Sequence, residues 1–151
     1  MPITVTTAMP TSFKVEVLKG LHDLQLGADA LKIALLKTTA SGSGTYGAAS
    51  TNYSNITGNS DETSGTNYTA GGNALTNVTP VAAGTTAICD FSDTTWSSAS
   101  FTSCGAMIYN TNDSNSACAV LSFGGDQTVS TGDFTIQFPA AGASTAIIRI
   151  A

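Results

Sequence analysis

His22 is the only histidine in the chain, and Asp23 stands beside it. A Ser-His-Asp triad would have to be built on this one imidazole. No G-x-S-x-G elbow presents a nucleophile to it, so the sequence reads it as a surface or turn histidine. The three cysteines, Cys89, Cys104 and Cys118, form no C-x-x-C pair. Their number is odd and each lies in an apolar run, which suits small buried side chains better than a disulfide framework or a zinc knuckle. One bridge between neighbouring strands, 89–104 or 104–118, stays open. One His and three dispersed Cys make no transition-metal site of known spacing, so no metal and no cofactor is expected. For calcium, Asp90 with Asp93 and Asp126 with Asp133 flank two turns, but neither pair follows an EF-hand pattern, and acids in turns commonly cap backbone amides. Nothing announces the aromatic or Arg-rich cleft in which paired carboxylates cleave glycosides. Trp96, the single tryptophan, is read as a core or interface residue. Gly71-Gly72 and Gly124-Gly125 lack the Lys and Ser/Thr of a phosphate loop and are expected to supply positive φ in tight turns. The expectation is a protein that is not an enzyme.

The elements that must position these residues fall into three zones. Residues 1–37 form an N-terminal helix and strand that pack on the body. The helix runs from Ser12 to Lys19, with Thr11 as N-cap and Gly20 as its stop, and Phe13, Val17 and Leu21 make one apolar stripe. Alternation of Leu31, Ile33 and Leu35 with Lys32 and Ala34 makes Ala30–Leu36 a strand. Residues 38–70 are nearly all Ser, Thr, Gly, Asn and Ala, long for a connection inside a compact domain. Two readings fit: an ordinary flexible loop, or an arm that orders against a partner. On the second reading Tyr46, Tyr53, Ile56 and Tyr68 are the candidate protein-interaction residues, because isolated aromatic and aliphatic side chains make good anchors. Deleting Thr38 to Asn67 is then expected to leave the core folded and weaken assembly. Residues 71–151 are the antiparallel β body, with strands at Ala74–Val81, Thr86–Phe91, Ser100–Tyr109, Ala117–Phe123, Phe134–Phe138 and Ala146–Ile150. Turn signals separate them at Ala83-Gly84, Asn112–Asn115, Gly124–Asp126 and Thr131–Asp133. The fold class is mainly β: an antiparallel β-sandwich or barrel-like body with one short N-terminal helix and a long extended loop or arm.

Charge narrows the partners. The chain of 151 residues carries only 10% charged residues and a net charge of −5. Its five bases are Lys14, Lys19, Lys32, Lys37 and Arg149, so residues 38–148 contain none. A nucleic-acid partner needs cations to replace phosphate counterions, and none is expected. No apolar run approaches a membrane span, and no secretory signal opens the chain, so neither a membrane partner nor use of the five N-x-[ST] sequons is expected. A polar, nearly neutral surface suits close packing against another protein, because few ions must be desolvated.

The order of several motifs carries a resemblance. Thr66-Asn67-Tyr68-Thr69-Ala70-Gly71-Gly72-Asn73-Ala74-Leu75 comes first. Asp90-Phe91-Ser92-Asp93-Thr94-Thr95-Trp96 and Gly105-Ala106-Met107-Ile108-Tyr109-Asn110 follow. Val120-Leu121-Ser122-Phe123-Gly124-Gly125-Asp126 and Gly132-Asp133-Phe134-Thr135-Ile136-Gln137-Phe138 close the series. Together with Phe13–Gly20 and Leu31–Leu35, they resemble small structural proteins of tailed-bacteriophage virions. The likeness covers most of the chain and lapses in residues 38–70. It departs at Cys104, where a base is expected before the glycine.

The resemblance implies a capsid decoration, or cement, protein that binds the outer shell and stabilises it. Its partners would be the major capsid protein and further copies of itself, as a homotrimer at local three-fold junctions. It would be made in the bacterial cytoplasm and reside on the capsid surface. A tail, neck or fibre-base component is the alternative. A carbohydrate-binding adhesion module, resting on Trp96 and the tyrosines, is an alternative of another class.

Overall fold

The computed structural model describes residues 2–151. In chain order the elements are β1 (Thr4–Val5), α1 (Thr11–Leu18), β2 (Leu31–Leu36), β3 (Thr45–Tyr46), α2 (Ser54–Gly58), β4 (Asn73–Ala74), β5 (Asn77–Ala83), β6 (Thr86–Phe91), β7 (Thr94–Asn110), β8 (Ser116–Ile136) and β9 (Ile148–Ile150). The protein is mainly β. Its main sheet has the order β4-β2-β7-β8 and a second sheet the order β5-β6-β9, both antiparallel, while β1 and β3 form a small parallel pair.

β2 explains why the body has two cores. Its run Leu-Lys-Ile-Ala-Leu-Leu is buried at every position but Lys32. Leu31, Ile33 and Leu35 enter one cluster, with Phe13 of α1, Cys89 and Phe91 of β6, Trp96, Phe101 and Ile108 of β7, and Ile148 of β9. Ala34 and Leu36 point the other way, into a cluster with Ile3, Tyr46, Ile56, Met107, Tyr109 and Val120. Side chains alternate across a strand, so an apolar run on both parities demands cover on both faces. The second sheet and α1 cover one face. Residues of the N-terminal strand and of the 38–63 segment cover the other.

That segment is therefore not a free arm: its polar composition hides Tyr46 and Ile56, which are 1% and 0% exposed. It is stitched to the body by backbone hydrogen bonds from Lys37 N to Asp61 O (2.8 Å), Thr63 N to Leu35 O (2.9 Å) and Tyr53 N to Asn115 O (3.0 Å).

Two expected turns are absent, because the chain runs through them. Ala117–Phe123 and Phe134–Phe138 belong to one path: β8 extends to Ile136 and pairs with all of β7. Gly124 and Gly125 have positive φ, as expected of that pair, but sit in a bulge between the Ser103–Gln127 and Gly105–Ser122 pairings. Thr131 (φ 49°) lies at a second irregularity, beside the Ala99–Gly132 pairing. Extra residues in one strand bend it without ending it. At the other end, Ala74–Val81 divides into β4 and β5.

Helix α1 begins at Thr11, with Pro10 as its N-cap residue and no side-chain cap. The Thr11 amide instead donates to Ala48 O (2.9 Å), so the 38–70 segment satisfies the helix start. Gly20 (φ 72°) ends it in a Schellman turn: Leu21 N donates to Glu16 O (3.1 Å) and Gly20 N to Val17 O (3.0 Å). Leu21 thereby leaves the expected stripe and stands 48% exposed. The next residue, His22, is carried back over Glu16.

Candidate functional site

Two adjacent acids organise the residues proposed from sequence as interaction anchors. Asp61 is 1% exposed and accepts hydrogen bonds from Gly44 N (2.7 Å), Tyr46 Oη (2.8 Å) and Ser43 N (3.0 Å). Glu62 accepts from Tyr53 Oη (2.5 Å), Gly71 N (2.6 Å) and Tyr68 Oη (2.8 Å). Tyr68 also takes the Leu35 amide at 2.9 Å, and Tyr109 donates to Gly71 O at 2.8 Å. The Tyr53 and Tyr109 rings stack with centroids 4.5 Å apart.

Burial, then the neighbouring carboxylates, raises the phenols of Tyr46, Tyr53 and Tyr68 well above the usual tyrosine range, though hydrogen bonds from Asn59 and the Leu35 amide oppose this at Tyr46 and Tyr68. Burial and the Glu62 charge push Tyr109 up to about 12. Of the four sequence candidates, Tyr46 and Ile56 are core, while Tyr53 and Tyr68 are half-buried with their hydroxyls bound within the chain. The structure spends these side chains on holding the 38–70 segment to the sheet, which corrects their reading as outward-facing anchors.

A second polar cluster surrounds His22, whose side chain is 0% exposed rather than on the surface. Its Nε2 lies 3.0 Å from Glu16 Oε2 and 3.7 Å from Asp113 Oδ2. Its Nδ1 lies 2.9 Å from Asn110 Nδ2, which also donates to Asp29 Oδ2 at 2.6 Å. The Phe13 ring packs on the imidazole at 4.8 Å. Glu16, His22 and Asp113 bring one ligand atom each within 4.8 Å of one another.

The outer hydrogen bonds argue for a proton there rather than a metal ion. Asn110 Oδ1 accepts the Asn112 amide (2.9 Å), which fixes the Asn110 NH2 towards Nδ1 and Asp29. Nδ1 is then the acceptor and Nε2 carries the proton that Glu16 receives. A metal on Nε2 would move that proton to Nδ1, against an NH2 group, whereas metal-bound imidazoles place an acceptor there. No hydroxyl or thiol among the described residues bonds to either ring nitrogen, so the geometry shows no nucleophile-base pair. The cluster ties α1 and the 23–29 loop to the tip of the β7–β8 hairpin.

The cysteines are free and buried. Burial pushes the thiols of Cys89 and Cys104 up to about 11 and that of Cys118 higher still, which makes them poor nucleophiles. Among the described residues, two buried polar atoms lack a partner: Asp90 Oδ2 and Trp96 Nε1. Trp96 itself is a core residue, packed edge-on against Phe101 and Phe134. No helix of the described residues is long and apolar enough to cross a membrane.

The surface holds what the interior lacks, unused apolar area. Leu18 is 89% exposed, and Leu26, Val81 and Ile150 are more than half exposed. A groove of 340 Å³ between α1 and β9 is lined by Met9, Phe13, Lys14, Val17, Leu18, Arg149, Ile150 and Ala151. Sequence reasoning missed it: β9 lies more than a hundred residues from α1, and only folding brings them together. It missed the His22 cluster for the same reason, since Asn110 is 88 residues from His22, and the Asp61–Glu62 cluster because a Ser/Gly-rich composition gives no sign that these acids bind phenols within the same segment. Comparison of the chain with known protein families, with curated proteins and with solved structures finds no match in any of the three.

Proposed function

We propose that this chain is a non-enzymatic structural protein of a tailed-bacteriophage virion, a capsid decoration protein that binds the outer shell and stabilises it. The observation that carries the protein-binding part is the contrast between interior and surface. The His22, Asp61 and Glu62 clusters close on partners within the chain. Large apolar side chains, Leu18 foremost, stand exposed on a surface with few charges. Exposed apolar area on a nearly neutral surface favours a protein partner, because association then desolvates few ions.

The resemblance of the ordered motifs from Thr66 to Phe138 to tailed-phage virion proteins supports a phage shell made of the major capsid protein as that partner, with copies of this chain associating with one another on it. The protein would be made in the bacterial cytoplasm and reside on the virion surface. Quantitative gel analysis of purified particles tests this reading. A decoration protein is expected in a copy number comparable to that of the major capsid protein. A copy number equal to one ring per particle would favour a neck or tail component, and absence from the particle would overturn both.

A further inference from the structure

Three acids from three separate elements gather on one buried imidazole. Glu16 of α1 and Asp113 of the β7–β8 turn lie 3.0 and 3.7 Å from His22 Nε2. Asp29, at the end of the 23–29 loop, reaches the ring through Asn110, whose Nδ2 stands 2.9 Å from Nδ1 and 2.6 Å from Asp29 Oδ2. Cys118 of β8 is the other titratable group in reach. Burial, then the charges of Glu16, Asp113 and Asp29, hold its thiol well above the usual cysteine range. Asp23, next in sequence, caps the Gln25 amide at 3.1 Å. Among the described residues no Lys or Arg forms an ion pair with these acids, so the imidazole is the cation that can face them.

The neutral ring satisfies the groups around it. Nε2–H donates to Glu16 and Nδ1 accepts from Asn110. Asn110 fills that place in one orientation only, because its Oδ1 accepts the Asn112 amide at 2.9 Å and its NH2 also serves Asp29. A second proton on the ring turns Nδ1 from acceptor to donor. Two donors then face each other across 2.9 Å. Turning the Asn110 amide over gives Nδ1–H an acceptor, but it sets Oδ1 against the Asp29 carboxylate and the NH2 against the Asn112 amide. The added charge meanwhile strengthens the Nε2 contacts with Glu16 and Asp113. Protonation therefore exchanges one tether for another: α1 is drawn to the hairpin tip, and the 23–29 loop loses its bond to β7.

We propose that His22 is a proton-operated clasp, closed on the 23–29 loop while the imidazole is neutral and open when it is charged. The loop's own bonds define what moves. Asp29 Oδ2 also accepts the Asp23 amide (2.9 Å), and Asp29 N donates to Asp23 O (3.1 Å), so Asp29 ties the two ends of the loop together. Its middle is held by Asn77 Nδ2, which donates to Leu24 O and Gln25 O. The loop carries Leu26, 60% exposed, and walls a depression of 240 Å³ with Leu75 and Thr76. Releasing Asp29 frees that wall. The clasp does not rest on the virion reading: it would work in any setting whose pH crosses the range in which imidazoles titrate, about 5 to 8.

An NMR titration of the purified chain from about pH 8 to about pH 5 tests it. At the upper end the ring is expected as the Nε2–H tautomer in long-range proton–nitrogen spectra. As the ring gains its second proton, the Asn110 NH2 signals and the Asp23 and Asp29 amides are expected to shift with the same midpoint as the ring itself. Corrected for intrinsic rate, exchange of those two amides is expected to rise about tenfold or more, the factor that loss of one hydrogen bond to a charged group brings. The Ile33 amide in β2 is expected to stay protected. His22→Gln is expected to leave the loop indifferent to pH over that range. Asp29→Ala opens the clasp without altering the ring, so fast loop exchange is expected at every pH while His22 still titrates. The Nδ1–H tautomer at the upper end, a ring that keeps one protonation state throughout, or a ring that titrates with no response at Asn110 and the loop would each overturn the proposal. So would a loop that responds equally in His22→Gln.

Discussion

Replacing Glu62 by alanine removes the acceptor of three donors at once: Tyr53 Oη, Gly71 N and Tyr68 Oη, at 2.5, 2.6 and 2.8 Å. A hydrogen bond to a charged group contributes about 1.5–3 kcal/mol, and a buried donor left unpaired costs a similar amount. Glu62 is half-buried, so water can reach some of the vacated positions and the three contributions do not add in full. The expected loss is roughly 3–5 kcal/mol, a large share of the ~5–15 kcal/mol that a domain of this kind has in total. Urea unfolding followed by Trp96 fluorescence measures it, because the Trp96 ring stacks 6.1 Å from Tyr68. With an m-value in the usual range, the midpoint falls by about 2 M. Glu62→Gln keeps the shape and two acceptor sites but turns an NH2 towards a donor, so about 1–2 kcal/mol is expected. Tyr68→Phe is expected to be strongly non-additive with Glu62→Ala. A loss below about 1 kcal/mol for Glu62→Ala, or simple additivity with Tyr68→Phe, would refute the claim that this carboxylate holds the 38–70 segment to the sheet.

Further outcomes follow from the same contacts. Ile56→Ala opens a cavity at a fully buried site and is expected to cost about 2–4 kcal/mol in the same urea assay. Deletion of residues 38–67, which sequence alone expects the core to survive, is now expected to abolish cooperative unfolding, because it strips the cover from one face of the main sheet. Absorbance at 295 nm is expected to show no phenol ionisation at pH 10. All four tyrosines titrate above their usual value, so the stability they lend is intact below pH 10 and lost as pH rises through the folded values. Asp90 behaves oppositely to a paired carboxylate. Burial raises it, against hydrogen bonds from the Phe91 and Ile147 amides, so stability falls as pH rises from its unfolded value through its folded one. Asp90→Asn is expected to raise the urea midpoint at pH 7, with the gain fading in acid.

What the sequence disclosed follows the range of the interactions involved. β6 was legible to the residue, because Thr86–Phe91 is a short β-prone run between turn residues. β2 was legible from its alternating Leu31, Ile33 and Leu35, but the burial of Ala34 and Leu36 on the opposite face was not, since alternation implies one dry face. The glycines at 124 and 125 announced positive φ correctly. They could not announce whether the chain turns or bulges there, which depends on the length of the partner β7.

The segment 38–70 misled because Ser and Gly content reports chain flexibility, while order here comes from Asp61 and Glu62 meeting phenols 6 to 15 residues away. His22 looked like a turn residue because Asn110 and Asp113, which bury it, lie at the far end of β7 and just beyond it. The groove between α1 and β9 had no local signal at all: Leu18 and Ile150 become neighbours only in three dimensions.

The most direct test of the proposed role is cryo-electron microscopy of the particle that carries this chain. Repeated density for the fold is expected on the outer face of the shell, with the exposed apolar side chains, Leu18 foremost, covered there. Density confined to the tail or neck, or a shell whose outer face is bare, would contradict it.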